Sequence, residues 1–188
     1  KTIEEIDTLI AAIDLSKDEG HRNRAILETL YSCGLRVSEL VNLRFSDLYF
    51  DEGFIRVIGK GNKERLVPVS PQVEKEINLY TEHIRKHLDI KKGNEQVVFL
   101  NRRGSMLTRV MIFTIIKQLV QHVGLKKNIS PHTFRHSFAT HLIEGGANLR
   151  AIQEMLGHES ITTTEIYTHL DQRYLRDAIL SFHPRNNE

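Results

Sequence analysis

Apolar residues recur at the three- and four-residue spacing of an amphipathic α-helix in several separate stretches of the chain. This spacing predicts helices over residues 2–13, 19–33, 71–88, 109–123 and 171–182, and Gly34 ends the second of them. In that second helix the expected core residues are Ala25, Ile26, Leu27, Leu30 and Tyr31. On the helix over 109–123 the expected apolar side is Val110, Ile112, Phe113, Ile116, Leu119 and Val120.

The pattern changes to a period of two between residues 45 and 70, which is typical of β-strands. Two alternating runs flank the segment Gly59-Lys60-Gly61-Asn62-Lys63-Glu64, so we predict a β-hairpin with a glycine-rich, lysine-bearing tip. Together with residues 47–50, the hairpin is predicted to form a small three-stranded antiparallel sheet. The predicted fold class is therefore mainly α with this small sheet (α+β). The tip lacks the spacing of a phosphate-binding P-loop, and a solvated turn is the simpler reading of Lys60 taken alone.

Composition narrows the class of protein without identifying it. The chain has 188 residues, 40% of them hydrophobic and 27% charged, which fits one soluble globular domain with a sizeable core. A net charge of +2 falls short of the strongly basic balance of many DNA-binding domains. A single cysteine excludes an internal disulfide and fits a reducing cytoplasm, and no apolar run approaches the length of a membrane span. We see neither a signal peptide nor an internal repeat.

The richest chemistry lies in residues 130–169, where turn signals separate short predicted helices. Ser130-Pro131 opens the first helix, Gly145-Gly146 ends it, Asn148 caps the next and Gly157 ends that one. These segments carry His132, Arg135, His158 and Tyr167. A phenol with a pKa of about 10 is a poor nucleophile unless a partner accepts its proton and its target is polarised. Tyrosine attack on a phosphodiester held by arginine and histidine satisfies both needs.

Simpler interpretations exist for each of these residues taken singly. His132 and His136 have the spacing of a zinc-binding pair, although the glutamate of an H-E-x-x-H motif is absent. Tyr167 alone is typical of a packed aromatic residue, and Arg135 alone of an ion pair. Arg36, just after the Gly34 break, has the spacing of a surface pair with Glu39.

Taken together in order, five motifs identify a resemblance that covers nearly the whole chain. They are Gly34-Leu35-Arg36-Val37-Ser38-Glu39-Leu40, Gly59-Lys60-Gly61-Asn62-Lys63-Glu64-Arg65, His132-x-x-Arg135-His136, Leu156-Gly157-His158 and Tyr167. The chain resembles the catalytic domain of tyrosine recombinases, the phage-integrase-like family, and within it the bacterial Xer recombinases. The resemblance implies one catalytic domain over residues 1–188, with the family's N-terminal core-binding domain absent from this chain.

The resemblance also implies the roles of individual residues. The six catalytic positions are Arg36, Lys60, His132, Arg135, His158 and the nucleophile Tyr167. Glu39 is expected to hold Arg36 in place, and the expected DNA contacts are Lys63, Arg65, Arg109 and Lys117. Neither a metal nor another cofactor is expected, because the arginines supply positive charge and the phosphotyrosine conserves the bond energy.

The implied activity is site-specific cleavage and rejoining of DNA through a 3′-phosphotyrosine, in the Xer role of resolving chromosome dimers. Integration of a phage or transposon is the alternative within the family.

The implied partners are a double-stranded recombination site, three more recombinases in a homo- or hetero-tetramer, and a regulatory DNA translocase, in a bacterial cytoplasm near the nucleoid. The resemblance implies that the 171–182 helix docks on a neighbouring protomer; the alternative is that it folds onto the core of its own chain. Three rivals from other classes are a type IB topoisomerase, a catalytically silent DNA-binding module and a zinc hydrolase.

Overall fold

Helices dominate the computed structural model, which describes residues 2–157 and residue 185. The seven α-helices of this part are α1 Thr2–Ala11, α2 Gly20–Cys33, α3 Val37–Val41, α4 Pro71–His83, α5 Arg109–Val123, α6 Pro131–Glu144 and α7 Leu149–Leu156. The predicted 171–182 helix lies outside the described residues. The predicted helices in the first two thirds of the chain are confirmed, with ends that differ by a few residues.

Helix α2 lies at the centre of the domain. All residues from Ala25 to Cys33 are buried, and α2 packs against α4 on one side and α6 on another. Its polar residues bond locally: Thr29 donates to the carbonyl of Ala25 at 2.7 Å, and Ser32 donates to Glu28. Burial raises the pKa of the single cysteine, Cys33, to about 12, so this thiol stays protonated near neutral pH. The predicted core of this helix is confirmed.

The three-stranded antiparallel sheet is also confirmed, with strands β1 Leu48–Tyr49, β2 Phe54–Ile58 and β3 Glu64–Pro68 in sequential order. Strand β2 pairs with β3 so that Val57 lies opposite Arg65 and Arg56 lies opposite Leu66. Because side chains alternate across a strand, Arg65 shares the inner face of β3 with the buried Val67. The sheet therefore carries one arginine toward the body of the domain and holds the lysine-bearing tip at its end.

The prediction of one helix over 71–88 is wrong in its last turn. Helix α4 ends at His83, and residues Arg85–His87 form a 3₁₀ turn after Ile84, whose backbone is not helical. The Arg85 side chain turns inward, donates to the carbonyls of Val97 and Glu95 at 2.8 Å, and covers the ring of Phe45. The spacing of apolar residues does not register such an inward-turned guanidinium.

A second apolar cluster joins α6 and α7. Its buried residues are Phe138, Leu142, Ala147, Ala151, Ile152, Met155 and Leu156. Asn148 caps α7 by accepting from the Arg150 amide at 2.8 Å, and Gly157 ends the helix in the left-handed conformation with φ 70°. This cluster packs α7 against the second half of α6.

Gly34 offers a test of how tightly α2 and α6 are packed. It ends α2 at φ 65°, and a Cβ there would overlap the buried ring of Phe138. Gly61 has φ 70° but no heavy atom within 4 Å of such a Cβ. We expect Gly61→Ala to lower the free energy of unfolding by about 1 kcal/mol through backbone strain, and Gly34→Ala by about 1–3 kcal/mol more through overpacking. Urea unfolding of the two variants measures the difference; equal losses would contradict the packing account.

Candidate active site

The start of helix α6 positions two of the candidate residues, His132 and Arg135. Helix α6 begins just after Ser130, whose amide donates to the Thr133 hydroxyl at 3.1 Å, and Pro131 occupies its first turn. His132 and Arg135 then lie three residues apart, but they differ in exposure. His132 is exposed, whereas Arg135 is 8% exposed and faces the end of α2. The two side chains therefore differ in burial although only three residues separate them.

Arg135 ties three elements together through backbone carbonyls. Its Nη1 donates to the carbonyl of Gly34 at 2.5 Å and its Nη2 donates to the carbonyl of Leu156 at 2.6 Å. Burial, and then the charge of neighbouring Arg36, lower the pKa of Arg135 to about 10, so it remains protonated near neutral pH. A guanidinium has five N–H donors, and these two bonds leave donors for an anion.

Arg36 lies at the N-cap of α3, directly after the Gly34 break. Its amide donates to Oε1 of Glu39 at 2.8 Å, and its Nη1 lies 3.3 Å from Oε2 of the same carboxylate. The Arg36 side chain is 38% exposed, while that of Glu39 is only 2% exposed. The expected contact between these two residues is confirmed. It is a half-buried anchor with one end facing solvent, unlike the surface pair that spacing alone suggested.

Glu39 also binds Arg65, which the sequence analysis expected to contact DNA. The Arg65 guanidinium meets the carboxylate with both terminal nitrogens, at 2.6 and 2.9 Å, and its Nε donates to the carbonyl of Met155 at 2.8 Å. Its side chain is 10% exposed. Burial alone would raise the pKa of Glu39, yet the hydrogen bonds and charges of Arg65 and Arg36 hold it below its ordinary value. Arg65 is thus directed into the domain.

Lys60 lies at the exposed tip of the hairpin. The amide of Gly59 donates across the tip to the carbonyl of Lys63 at 2.8 Å, and Gly61 and Asn62 have positive φ values of 70° and 58°. The base of this tip reaches the arginine cluster: a Cβ on Gly59 would lie 3.1 Å from Oε2 of Glu39. Lys60 therefore follows directly in sequence the glycine that packs against the carboxylate of Glu39.

The remaining catalytic candidates, His158 and Tyr167, lie outside the described residues. The last described residues before His158 contact the arginine cluster. The carbonyl of Leu156 accepts from Arg135, and a Cβ on Gly157 would lie 3.0 Å from Nη1 of Arg65. The structure thus brings together Arg36, Glu39, Arg135 and the base of the Lys60 hairpin, directly before the position of His158 in the chain.

The other expected DNA contacts, Lys63, Arg109 and Lys117, are all exposed. Helix α5 contains no acidic residue. It differs from the expected apolar pattern, because Val110 and Phe113 are 73% and 48% exposed and stand beside Arg109 and Lys117 rather than in the core. The buried side of α5 is formed by Ile112, Ile115 and Ile116. An exposed face of apolar and basic residues without acids is suited to nucleic acid.

Metal binding was the alternative for the histidine pair on α6. His132 and His136 are both exposed, and residues 2–157 contain no group of three or more histidine, cysteine or acidic side chains arranged to hold a metal ion.

None of the helices within the described ranges has the length and apolar character needed to cross a membrane.

Comparison with known proteins agrees with this arrangement. Residues 2–173 match the model of the phage integrase family. The chain is 46% identical over 183 residues to the tyrosine recombinase XerD of Staphylococcus haemolyticus, covering 97% of this chain and 62% of that relative. It therefore spans less than two thirds of the length of this relative.

Solved structures give the same result for the fold. The crystal structure of XerA recombinase superposes with a TM-score of 0.73 at 33% identity, over 97% of this chain and 64% of the other. XerH site-specific recombinase, solved with its difH substrate before cleavage, gives a TM-score of 0.72 at 29% identity, over 89% of this chain and 49% of the other. With its arginine cluster, mixed fold and family match over most of its length, the chain belongs to the phage integrase family of tyrosine recombinases.

Proposed function

We propose that this protein cleaves and rejoins double-stranded DNA at specific sites through a 3′-phosphotyrosine intermediate, in the manner of the Xer recombinases. The observation that carries the proposal is the pair of guanidinium groups, Arg36 and Arg135, held beside each other by Glu39 and by backbone carbonyls. Two fixed cations beside one carboxylate make a site for a phosphodiester. Identity to the XerD relative favours the Xer role over phage or transposon integration, the alternative.

The charges in the site match the reaction. A phosphodiester carries one negative charge, and its five-coordinate transition state carries about one more on the non-bridging oxygens. Arg36 and Arg135 would bind those oxygens, because both keep unused N–H donors. Preorganised cations favour this transition state more than water does, since they need not reorient as charge develops. This supply of positive charge is why we propose a reaction that uses neither a metal ion nor another cofactor.

The bond changes balance without an external energy source. The Tyr167 oxygen attacks phosphorus, the bond from phosphorus to the 5′-oxygen breaks, and the strand is left joined to the tyrosine by its 3′-phosphate. His132 takes the phenolic proton, Lys60 protonates the departing 5′-oxygen, and His158 hydrogen-bonds the phosphate. Attack by a 5′-hydroxyl of another strand reverses each transfer. The covalent bond to tyrosine conserves the energy for rejoining, so ATP is not consumed.

DNA binding would use the exposed positive residues around the site. Lys63 on the hairpin and Arg109 and Lys117 on α5 are the proposed contacts, and the absence of acids from α5 leaves that face without repulsion toward phosphate. Because each phosphate contact releases counterions, affinity should fall steeply with salt.

The assembled state is proposed as a homo- or hetero-tetramer on two DNA duplexes, in the cytoplasm of a bacterium and near its nucleoid. A DNA translocase would regulate that assembly in chromosome dimer resolution. The predicted 171–182 helix, outside the described residues, would join neighbouring protomers.

Strand exchange between two duplexes tests the proposal against a topoisomerase, which rejoins the same strand. The probes are duplexes recovered from a pool with randomised sequence around a nick, by selecting DNA that stays bound to the protein after denaturation. We expect recombinant strands from two labelled duplexes in EDTA and without ATP. Products rejoined only to their original strand would favour the topoisomerase. Loss of cleavage in EDTA, restored by zinc, would favour the zinc hydrolase.

A second test asks whether Lys60 is the general acid that protonates the departing 5′-oxygen. We expect Lys60→Ala to slow cleavage of ordinary DNA about 10²–10⁴-fold, the usual range for a lost general acid. A 5′-bridging phosphorothiolate should restore most of this rate, because a thiolate leaves without protonation. The matched control is Lys63→Ala on the same tip, which should weaken DNA binding without rescue. Equal rescue of both variants, or of neither, would count against Lys60.

A further inference from the structure

The ion pair between Glu39 and Arg65 is buried inside the candidate site, which a role of Arg65 in contacting DNA does not explain. It is a two-nitrogen pair between a carboxylate and a guanidinium whose side chains are 2% and 10% exposed. Arg65 comes from strand β3, Glu39 from α3, and the third partner of the guanidinium is the Met155 carbonyl in the last turn of α7. One side chain thus joins three elements that are far apart in sequence.

Each of these elements carries, adjoins or bonds a candidate catalytic residue. The hairpin carries Lys60, Arg36 is the N-cap of α3, and α7 ends at Leu156, whose carbonyl accepts from Arg135 on α6. Glu39 accepts four bonds, two from Arg36 and two from Arg65, which fills the roughly four acceptor positions of a carboxylate.

The surroundings leave little room for this guanidinium to move. A Cβ on Gly157 would lie 3.0 Å from its Nη1, and a Cβ on Gly59 would lie 3.3 Å from the same atom. Glycine backbone therefore packs against Arg65 on both the α7 side and the hairpin side. Lysine cannot reproduce the planar fork that fits this space.

We propose that Arg65 is a positioning residue for DNA cleavage, which fixes the Lys60 hairpin, the Arg36–Glu39 pair and the end of α7 in one arrangement. The inference rests on the proposed function and adds a residue to it. Arg65 itself does not touch the DNA. Its removal shifts the groups that bind the phosphate, and misplacement of such groups by about 1 Å can cost roughly 100-fold in rate.

The test compares Arg65→Lys with Arg56→Lys in the 188-residue chain. Arg56 is the matched control, because it lies on the neighbouring strand and bonds a buried carboxylate, Asp47, at 2.8 Å without reaching α3 or α7. Single-turnover cleavage of the selected nicked duplex, at saturating protein, gives a rate constant and an amplitude separately. We expect Arg65→Lys to lower the rate constant about 10- to 100-fold at full amplitude. Arg56→Lys should keep the wild-type rate constant.

DNA affinity separates positioning from contact. With Arg65→Gln, which removes the charge, we expect the Kd to change less than about threefold and the salt dependence to stay the same, whereas loss of a phosphate contact reduces the salt slope by about 1. A wild-type rate constant with reduced amplitude would mean that Arg65 only stabilises the fold and would overturn the proposal. A reduced salt slope would overturn it in favour of DNA contact.

Glu39→Gln weakens the same Glu39–Arg65 ion pair by changing the carboxylate, and it is the variant to use if Arg65→Lys folds poorly. It should lower the rate constant as well, and the double variant should lose less than the product of the two single losses, because both changes break one interaction. Fully multiplicative losses would contradict the link. Failure of the proposed function itself is distinguishable, since the wild-type chain would then form no covalent adduct at all.

Discussion

Arg135→Lys is expected to lower the rate constant of DNA cleavage by about 100- to 1000-fold, the usual cost of removing one preorganised donor to a developing anion. Lysine keeps the charge but cannot bond the carbonyls of Gly34 and Leu156 while also presenting donors to a phosphate. The measurement is single-turnover cleavage of a nicked duplex at saturating protein, so that weaker binding does not count as slower chemistry.

The matched control for this variant is Arg85→Lys. Arg85 is 6% exposed and also donates to backbone carbonyls, but its partners are Val97 and residues 94–95, away from α3 and α7. Both variants should lower the melting temperature, and only Arg135→Lys should lower the rate constant. If the two change cleavage equally, Arg135 would be a structural arginine without a part in the chemistry.

Tyr167→Phe is expected to abolish the covalent protein–DNA adduct, because it removes the attacking oxygen and leaves the ring. DNA affinity should stay within about twofold, since a single hydroxyl contributes little beside the phosphate contacts that dominate affinity. Denaturing gel electrophoresis of the protein with labelled nicked DNA measures the adduct, and a gel shift measures binding.

Tyr174→Phe is the control for the nucleophile, since Tyr174 lies seven residues further along the chain and the family resemblance gives it no catalytic role. It should keep the adduct. Persistence of the adduct in Tyr167→Phe, or its loss in Tyr174→Phe, would refute the choice of nucleophile.

Local pattern predicted most of the described fold because the core follows it closely. The apolar positions of α2 are buried as expected, and the glycine-rich turn between two alternating runs forms the expected hairpin between β2 and β3. The cap signals worked for a local reason: Ser130 with Pro131, Asn148 and Gly157 meet needs of a helix end that do not depend on the rest of the fold.

The errors arose where contacts between residues far apart in sequence decide whether a side chain turns inward or stays exposed. Arg85 ends α4 early by bonding carbonyls around Val97, and no spacing rule reports such a partner. Val110 and Phe113 were placed on the apolar side of the helix by their type, although α5 already fills its buried side with isoleucines. In both cases tertiary contacts decided what the local pattern left open.

Arg65 shows how part of the site escaped sequence reasoning. Its place in a basic hairpin motif suggested DNA contact, yet the alternation Arg65, Val67, Val69 puts it on the inner face of β3. That signal was present in the sequence. Its partners were not readable there, because Glu39 lies 26 residues away and Met155 lies 90 residues away. The contact between Arg36 and Glu39 could be predicted from the sequence, because the two residues are only three apart.

The most direct test of the proposed chemistry is to identify the residue that becomes joined to DNA. The wild-type chain is incubated with the selected nicked duplex in EDTA without ATP, denatured and digested with protease and nuclease, and the nucleotide-bearing peptide is sequenced by mass spectrometry. We predict one modified peptide, with a 3′-phosphate esterified to the oxygen of Tyr167, and a free 5′-hydroxyl on the released strand. Attachment to another residue, a 5′-phosphate linkage, or no adduct would contradict the account.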